Sequence, residues 1–387
     1  MTEERARPVV TVHLDAVAEN TRRLADRTGA ALMAVVKADG FGHGAAAVAR
    51  TALAHGAERL GVAGVDEALA LRAEGLTTPV LSWLNPPHAE LSAAVAAGVE
   101  LAVPGEEHLR AAARAAPLGA APARIHLHAD VGMARDGAPP ADWDRLCARA
   151  AALQERGRVR VVGVMGHLGC ADLPGDPHTA ASRRRFSEAV AAARAHGLRP
   201  AHRHLAATAG LLTEPAAHHD LVRVGAGLYG VDPTGRAGLR WAMTVTAPVV
   251  SVRDVPAGTP VGYGHTFTTS RPTRLALLPL GYADGLPRIT SGRARVLLRG
   301  RRRPVVGLVS MDQIVVDVDG DEVRPGDVAT LLGPGDAGEP TPADWADWAG
   351  TLPHEILAGI GSGPRVTRRH RLLPFRTRTR TPLEIPA

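Results

Sequence analysis

Residues 31–44, ALMAVVKADGFGHG, join an apolar run to the most informative residue of the chain. The run 31–36 predicts a strand buried on both faces, since such strands are nearly continuous in apolar residues. Lys37 follows it and is the only lysine among the 45 Lys and Arg residues of this 387-residue protein. A lysine amine can lose its proton and form an imine, whereas arginine does neither readily. The alternative is that Lys37 is a chance survivor of an arginine-rich composition. The residues around Lys37 decide between the two interpretations.

Seven further strand-like runs follow before residue 230 and alternate with alanine-rich helical segments. Eight strands that alternate with helices predict a parallel, TIM-type (β/α)8 barrel, here over 14–234. The predicted strands are 31–37, 59–64, 79–84, 100–103, 123–130, 160–168, 202–208 and 221–228. The predicted helices are 15–28, 44–54, 66–74, 88–97, 106–115, 142–156 and 178–196, and the helix between the last two strands is poorly marked.

After about residue 235 the pattern changes to short β-like runs separated by Gly, Pro and Asp. This pattern predicts a mainly β C-terminal domain over 235–387. Residues 1–13 are compatible with either domain, and 370–387 are expected to form a loose tail. The predicted strands are 245–253, 273–280, 294–299, 304–309, 313–318 and 327–332, with short helices at 341–349 and 353–359.

Composition excludes several classes of protein. With 45% hydrophobic and 22% charged residues the chain is globular, and no run approaches the roughly 18 apolar residues of a membrane span. The net charge of +6 is dispersed, and aromatic residues make up only 3%, which argues against a nucleic-acid-binding surface. The N-terminus has no apolar signal segment, and Cys147 and Cys170 form neither a disulfide framework nor a metal spacing. We therefore expect a cytoplasmic protein without a metal site.

Polar side chains stand at the C-terminal ends of predicted barrel strands, where barrel enzymes carry their catalytic groups. They are Lys37, Asp130, His167, Thr208 and Arg223. His167 has two interpretations of equal weight, a satisfied core histidine or a site residue.

The run 223–227, RVGAG, ends the last strand, and the backbone N–H groups of Gly225 and Ala226 could hold a phosphate with help from Thr208. Glycine-rich strand ends also arise from tight packing. A lysine and a phosphate site on one barrel face together point to pyridoxal phosphate.

Tyrosine is nearly as scarce as lysine, with Tyr229, Tyr263 and Tyr282 only. Tyr229 is most simply a core residue. Tyr263 lies in the glycine-flanked loop VGYGHTF, where a phenol has little to pack against, and is a candidate acid/base with an ordinary pKa near 10 that would need lowering.

Seven motifs in order resemble the alanine racemase family from about residue 9 to 369. They are AVVKADGFGHG, HADVGMARDG, GVMGHLGCAD, VRVGAGLYG, VGYGHTF, GYADGLPR and GLVSMDQIVVDV. The resemblance implies a pyridoxal-phosphate-dependent racemase that interconverts L- and D-alanine. It also implies a homodimer whose active site joins one barrel to the β domain of the partner.

The resemblance implies a role for each matched residue. Lys37 would carry the cofactor and, with Tyr263 of the partner subunit, exchange the α-proton on opposite faces. Arg223 would face the pyridine nitrogen and disfavour its protonation, which favours racemisation over transamination. The remaining residues would contact the cofactor (His167, Thr208, Gly225, Ala226 and His354) or the substrate and its entrance (Arg135, Met311, Asp312 and Tyr282).

The sequence departs from the family pattern around this machinery. Phe41 and His354 stand where tyrosines are usual, His128 where many members have a lysine, Ala207-Thr208 where Asn-Ser is usual, and Ser310 where a cysteine is usual. These changes leave open whether alanine or another small amino acid such as serine is preferred, and whether the enzyme serves cell-wall supply or a specialised pathway. A lyase or decarboxylase of the same fold, and a non-catalytic barrel that binds the cofactor, are the competing hypotheses.

Overall fold

The computed structural model describes residues 7–117, 119 and 121–372. The predicted tail beyond residue 372 and the first six residues lie outside the described residues. Within the described ranges, no helix is both long enough and apolar enough to cross a membrane.

Eight parallel strands form a sheet in the order β8-β7-β6-β5-β4-β3-β2-β9. Backbone hydrogen bonds from Arg223 to Ala206 (3.0 Å) and from Asp220 to Arg203 (3.1 Å) connect its two ends and nearly close a barrel. The strands are β2 (Ala31–Val35), β3 (Arg59–Val62), β4 (Val80–Ser82), β5 (Glu100–Val103), β6 (Ala123–His128), β7 (Val159–Met165), β8 (His202–His204) and β9 (Leu221–Val224). The predicted barrel is therefore confirmed.

Most of the helices that alternate with the strands bury an apolar face in the same core as the strands. They are α1 (Leu14–Ala25), α2 (Lys37–Phe41), α3 (Ala45–Leu53), α4 (Val65–Ala73), α5 (Ser92–Ala96), α6 (Glu106–Ala115), α7 (Pro140–Glu155), α8 (Pro177–Ala195) and α9 (Thr208–Thr213). The poorly marked helix between the last two strands is α9, followed by a 3-10 turn at Pro215–Ala217.

A second sheet of nine strands has the order β11-β14-β17-β16-β15-β18-β10-β1-β19, and β12 and β13 form a separate hairpin. These strands are β1 (Val9–His13), β10 (Met243–Pro248), β11 (Ser251–Val255), β12 (Pro260–Val261), β13 (Phe267–Thr268), β14 (Thr273–Leu278), β15 (Arg295–Leu298), β16 (Arg301–Val306), β17 (Ile314–Asp317), β18 (Val328–Leu332) and β19 (Thr367–Arg371). Two helices, α10 (Pro342–Ala349) and α11 (Pro353–Gly359), complete the region. The mainly β second region is confirmed.

Two sequence predictions need adjustment in this region. The run 245–253 is two strands, since β10 pairs with β1 and β18 whereas β11 pairs with β14. Strand β19 includes residues 370 and 371, which the sequence placed in a loose tail, because it pairs in parallel with β1.

Candidate active site

Lys37 stands directly after β2 at the start of an unusual backbone turn. Ala38, Asp39, Gly40 and Phe41 all have φ between 51° and 62°, the left-handed region that costs a non-glycine residue about 1–2 kcal/mol. Asp39 holds the turn, because its Oδ1 accepts from the N–H of Ala45 (2.9 Å) and its Oδ2 pairs with Arg368 on β19. The β domain of the same chain therefore fixes the segment that presents the lysine.

The amine of Lys37 is half-buried at the barrel mouth, with its Nζ 5.8 Å from the ring centre of Trp83. Burial lowers the pKa of Lys37, and repulsion from Arg135 lowers it further against the opposing attraction of Glu67. A lowered pKa increases the fraction of neutral amine, which is the form that acts as a base or nucleophile.

Arg223 on β9 is buried and held by five hydrogen bonds from its two terminal nitrogens. Nη1 donates to Nδ1 of His204 (2.9 Å) and to its carbonyl oxygen (3.0 Å), while Nη2 donates to the carbonyls of Gly166 (2.7 Å) and Leu205 (3.2 Å) and to Nδ1 of His167 (3.1 Å). Burial lowers the pKa of Arg223 to about 10, so its charge persists at neutral pH.

His167 is therefore a partner of Arg223 and not an isolated core histidine. Burial, followed by repulsion from Arg223, lowers the pKa of His167 to about 3, so the ring is neutral at neutral pH. Because arginine can only donate, Nδ1 of His167 accepts and its proton lies on Nε2.

Thr208, Gly225 and Ala226 come together at the adjoining ends of β8 and β9. Thr208 opens α9, and Ala226 opens a 3-10 turn (Ala226–Tyr229) that has no side-chain cap at Gly225. The Thr208 hydroxyl oxygen accepts from the N–H of Gly227 (3.2 Å), which shows that the two helical starts are in contact. Helix starts without side-chain caps attract anions, since their N–H groups lack partners.

His354 on α11 belongs to the same cluster. Its ring lies 6.1 Å from that of Phe41, and its buried Nδ1 has no hydrogen-bond partner among the described residues. Burial and the nearby charge of Lys37 lower the pKa of His354. Phe41 itself stacks on Tyr229 at 4.7 Å, which places Tyr229 in the packing behind the turn.

These residues fit a phosphate-bearing aldehyde cofactor. The anion-binding N–H groups and an amine of lowered pKa follow neighbouring strands, because β2 pairs with β9, and α11 brings an orphaned imidazole nitrogen close to Phe41 in the turn after Lys37. Arg223 and His167 add a rigid guanidinium and a neutral ring on the same face.

Arg135 is exposed and follows a turn in which Asp130 Oδ1 accepts from the N–H groups of Gly132 (2.8 Å) and Met133 (3.0 Å). Its charge lowers the pKa of Lys37, His167 and Arg223, so it lies over the barrel mouth.

His128, at the end of β6, is a buried neighbour of this turn. Its Nδ1 lies 3.4 Å from Asp136 Oδ2. The interaction with His128 lowers the pKa of Asp136, although burial alone would raise it.

The remaining predicted site residues lie apart from this cluster in loops of the β domain. The side chains of Tyr263, Met311 and Tyr282 are 70%, 54% and 41% exposed, and within the described residues none of them contacts Lys37 through a hydrogen bond or ring. Asp312 is exposed and pairs with Arg365 (3.1 Å). Backbone bonds from Tyr282 to Ser310 (3.0 Å) and from Ala283 to Met311 (2.9 Å) bind two of these loops to each other.

Sequence reasoning missed the left-handed turn, the fixation of Asp39 by Arg368, and His204 as a partner of Arg223. The local sequence signal for the turn is its three glycines, Gly40, Gly42 and Gly44. Glycine adopts positive φ readily, and all three do so here. No local signal identified His204, whose role depends on its orientation toward the barrel interior.

The barrel and its mouth have the features of an enzyme site for a phosphate-bearing aldehyde cofactor. Comparison with known proteins agrees: a model of the alanine racemase N-terminal domain matches residues 12–233, and one of the C-terminal domain matches 242–370. The chain belongs to the alanine racemase family, the pyridoxal-phosphate-dependent isomerases that interconvert L- and D-alanine.

Individual relatives are similar over nearly their whole length. The alanine racemase of Frankia casuarinae is 48% identical over 385 residues, covering 96% of this chain and 100% of that protein. The alanine racemase from D-cycloserine-producing Streptomyces lavendulae has a TM-score of 0.92 at 43% identity, covering 95% of this chain and 97% of that one. That of Bartonella henselae, solved with covalently bound pyridoxal phosphate, has a TM-score of 0.84 at 28% identity, covering 95% and 100%. The predicted family, racemase activity and cofactor are confirmed.

Proposed function

We propose that the protein racemises alanine at a site shared by two copies of the chain, with Lys37 and Tyr263 as its two proton-transferring groups. The observation that carries the proposal is the barrel mouth, where the only lysine of the chain stands beside an anion-binding cluster and a fixed guanidinium. The residue roles follow from placing the family's cofactor there.

In this arrangement Lys37 would hold pyridoxal phosphate covalently and Arg223 would face its pyridine nitrogen. When bound, the cofactor withdraws electrons from the α-carbon of an amino acid and makes the α-proton acidic. Because Arg223 carries a persistent positive charge, it would disfavour protonation of the pyridine nitrogen and so favour racemisation over transamination. His167 would lie against the ring, and Thr208, Gly225, Ala226 and His354 would hold the phosphate.

The proton is moved by two groups on opposite faces of the substrate. The neutral Nζ of Lys37 takes the α-proton from one face, and the hydroxyl of the partner subunit's Tyr263 supplies a proton to the other. When Lys37 and Tyr263 exchange these roles, the opposite enantiomer is converted. Arg135, Met311 and Asp312 orient the substrate carboxylate, and Tyr282 lines the entrance.

A homodimer explains why the loops of the β domain are apolar and exposed. Tyr263, Met311 and Leu352 are each more than half exposed, as are Leu84 and Leu173, which follow β4 and β7 at the C-terminal end of the barrel. Interface cores are enriched in aromatic residues and methionine, and exposed apolar patches mark interaction sites. Pairing the two surfaces covers both and brings Tyr263 to a barrel mouth.

The domains of this dimer are the barrel, assigned to 14–234, and the β region, assigned to 235–387. We further place the enzyme in the cytoplasm, since Cys147 and Cys170 are both unpaired.

The test is chiral analysis of the purified protein with added pyridoxal phosphate on a panel of L- and D-amino acids, together with sedimentation analysis. We expect alanine of either hand to reach an equal mixture, and the active species to be a dimer. A protein that racemises no amino acid on the panel contradicts the activity, and a fully active monomer contradicts the shared site.

A further inference from the structure

The interior of the barrel holds an apolar group and a polar group of side chains next to one another. Barrel interiors are normally filled by layers of bulky apolar side chains. The apolar group follows this rule, with Met33, Leu81, Ala102, Met165 and Leu221. The polar group consists of buried charged and imidazole side chains, namely Arg59, Glu100, His126, His204 and Arg223. The two groups are interleaved, since Met33 lies opposite both Arg59 and Arg223 in the sheet register. Burying charged groups is costly unless each has a partner, so the polar group calls for an explanation.

The polar side chains form a continuous hydrogen-bonded series. Nη1 of Arg223 lies 2.9 Å from Nδ1 of His204, Nε2 of His204 lies 2.8 Å from Nδ1 of His126, and Nε2 of His126 lies 2.9 Å from Oε2 of Glu100. We call these four residues the barrel chain. It runs from Glu100, the first residue of β5, to Arg223 at the mouth.

The hydrogen bonds of the barrel chain can be donated in only one direction, from Arg223 toward Glu100. Arginine has only donors, and an ionised carboxylate has only acceptors. His204 therefore accepts at Nδ1 and donates from Nε2, and His126 does the same. Both rings must then be neutral, which agrees with their full burial, since burial lowers the pKa of His126 and holds that of His204 well below its ordinary value.

Glu100 is held firmly at the far end. Its Oε1 accepts from Nε (2.9 Å) and Nη2 (2.7 Å) of Arg124, and its Oε2 accepts from Arg59 as well as from His126. Despite burial, the bond from His126 and the charge of Arg59 keep the pKa of Glu100 well below its usual value. The carboxylate is thus ionised and cannot rotate without losing a partner.

The neighbouring strand makes room for the barrel chain. Gly163 of β7 lies opposite His126 in the sheet register, and a Cβ there would collide with the imidazole ring. The glycine on β7 therefore leaves the space that the His126 ring occupies.

We propose that Glu100 and His126 are positioning residues for Arg223, acting through His204. They fix the tautomer of both imidazoles, so that His204 always presents a lone pair to Nη1 and the guanidinium keeps one orientation at the barrel mouth. The inference rests on the proposed function, in which Arg223 faces the pyridine nitrogen. Neither Glu100 nor His126 touches the reacting atoms.

Two variants break the barrel chain at different links. Glu100→Leu keeps a side chain of similar size but removes both accepting oxygens, so His126 loses its acceptor. His126→Phe keeps a flat ring but removes both hydrogen bonds. The controls are Arg110→Gln, which removes an exposed ion pair with Glu106, and Leu146→Ala, which disturbs the packing of α7 outside the barrel.

The first measurement is the tautomeric state of histidines in the wild-type holoenzyme by long-range ¹H–¹⁵N NMR, with His126 and His204 assigned by their loss in single variants. We expect both rings to be neutral with the proton on Nε2. A proton on Nδ1 of either ring, or a doubly protonated ring, overturns the proposal.

The second measurement is the visible absorption maximum of the bound cofactor, which responds to groups near its ring nitrogen. We expect a shifted maximum in Glu100→Leu and His126→Phe, with kcat lowered about 10- to 100-fold and KM little changed, since misplacing a distant support has effects of this order. Both controls should keep the wild-type maximum and kcat, even though Leu146→Ala lowers the Tm.

Folded variants with the wild-type maximum and kcat overturn the proposal. If both variants fail to fold, Glu100→Asp tests the same link, because it keeps the carboxylate but shortens the side chain. A wild-type spectrum and kcat in Glu100→Asp would likewise overturn the proposal. A wild-type protein without cofactor absorbance or racemisation would instead refute the proposed function, so the two failures are distinguishable.

Discussion

The barrel mouth and the loops of the β domain carry the two parts of the proposed site, and they differ in how completely one chain forms them. Arg223 is 5% exposed and makes five hydrogen bonds, whereas Tyr263 is 70% exposed and its hydroxyl contacts no described residue through a hydrogen bond. The barrel mouth is formed within one chain, whereas in the proposed function the loops act only against another copy of the chain. Substitutions in the two regions should therefore impair the enzyme in different ways.

The largest effect is expected at the barrel mouth from Lys37→Arg. A guanidinium stays protonated and is a poor nucleophile, so covalent attachment of the cofactor and racemisation should both be lost. Because the chain has one lysine, borohydride reduction of the wild type followed by peptide mass mapping should locate the cofactor on Lys37. Arg27→Lys, which adds a lysine away from the barrel mouth, is the control for charge and should behave as the wild type. Unchanged absorbance and turnover in Lys37→Arg would refute the assignment.

The second-largest effect is expected from a substitution in the loops of the β domain. Tyr263→Phe should retain the cofactor but lower kcat by about 10²- to 10⁴-fold, the usual contribution of a general acid or base. Tyr229→Phe is the matched control, because the buried Tyr229 hydroxyl donates to the Val35 carbonyl (3.2 Å), and its loss should lower stability by about 0.5–1.5 kcal/mol with little change in kcat.

Mixing the inactive Lys37→Arg and Tyr263→Phe proteins sharpens the comparison. A hybrid dimer contains one intact Lys37 and one intact Tyr263 facing each other across the interface, so part of the activity should return after subunit exchange. Exchange shown by mass spectrometry without any recovery would contradict a site shared between copies.

We expect a smaller effect from pH on stability, through the buried His43 that follows the turn after Lys37. His43 is fully buried, and burial lowers its pKa to about 4 despite bonds to the carbonyls of Phe41 (2.8 Å) and Gly40 (3.1 Å). The unfolded chain takes up this proton near pH 6.5 and the folded chain does not, so the free energy of unfolding should fall as the pH drops from 6.5 to 4. This group contributes at most about 1.4 kcal/mol per pH unit.

Urea unfolding at several pH values measures that slope. His43→Asn keeps a donor for the Phe41 carbonyl but cannot titrate, so its decline should be shallower by about one proton. The same substitution at the exposed His88 is the control. Equal slopes in wild type and His43→Asn would show that His43 does not couple folding to pH.

The barrel mouth and the loops also differ in how far sequence predicts them. The eight barrel strands and the positions of Lys37, His167 and Arg223 at or near their ends were predictable, because apolar runs and strand ends are local patterns. The left-handed turn was not, since it depends on Arg368 reaching Asp39 from the far end of the chain.

The barrel chain marks a second limit of sequence reasoning. Glu100 and His126 lie on correctly predicted strands, yet nothing local shows that they face each other inside the barrel. The loops mark a third limit, since a residue such as Tyr263 acquires its proposed partners only from another copy of the chain.

The smallest effect concerns His354, where the β domain reaches the barrel mouth within one chain. An imidazole is smaller than the phenol expected at this position, which leaves space, and besides the buried Nδ1 its second ring nitrogen, Nε2, can make a hydrogen bond to a substrate hydroxyl. We therefore expect measurable racemisation of serine beside alanine. In His354→Tyr the ratio of serine to alanine turnover should fall about two- to tenfold, the equivalent of one hydrogen bond of 0.5–1.5 kcal/mol. Chiral chromatography of parallel reactions gives that ratio, with His88→Tyr as the control for adding a tyrosine. A ratio that stays constant or rises would show that the neighbouring walls, and not His354, set the substrate range.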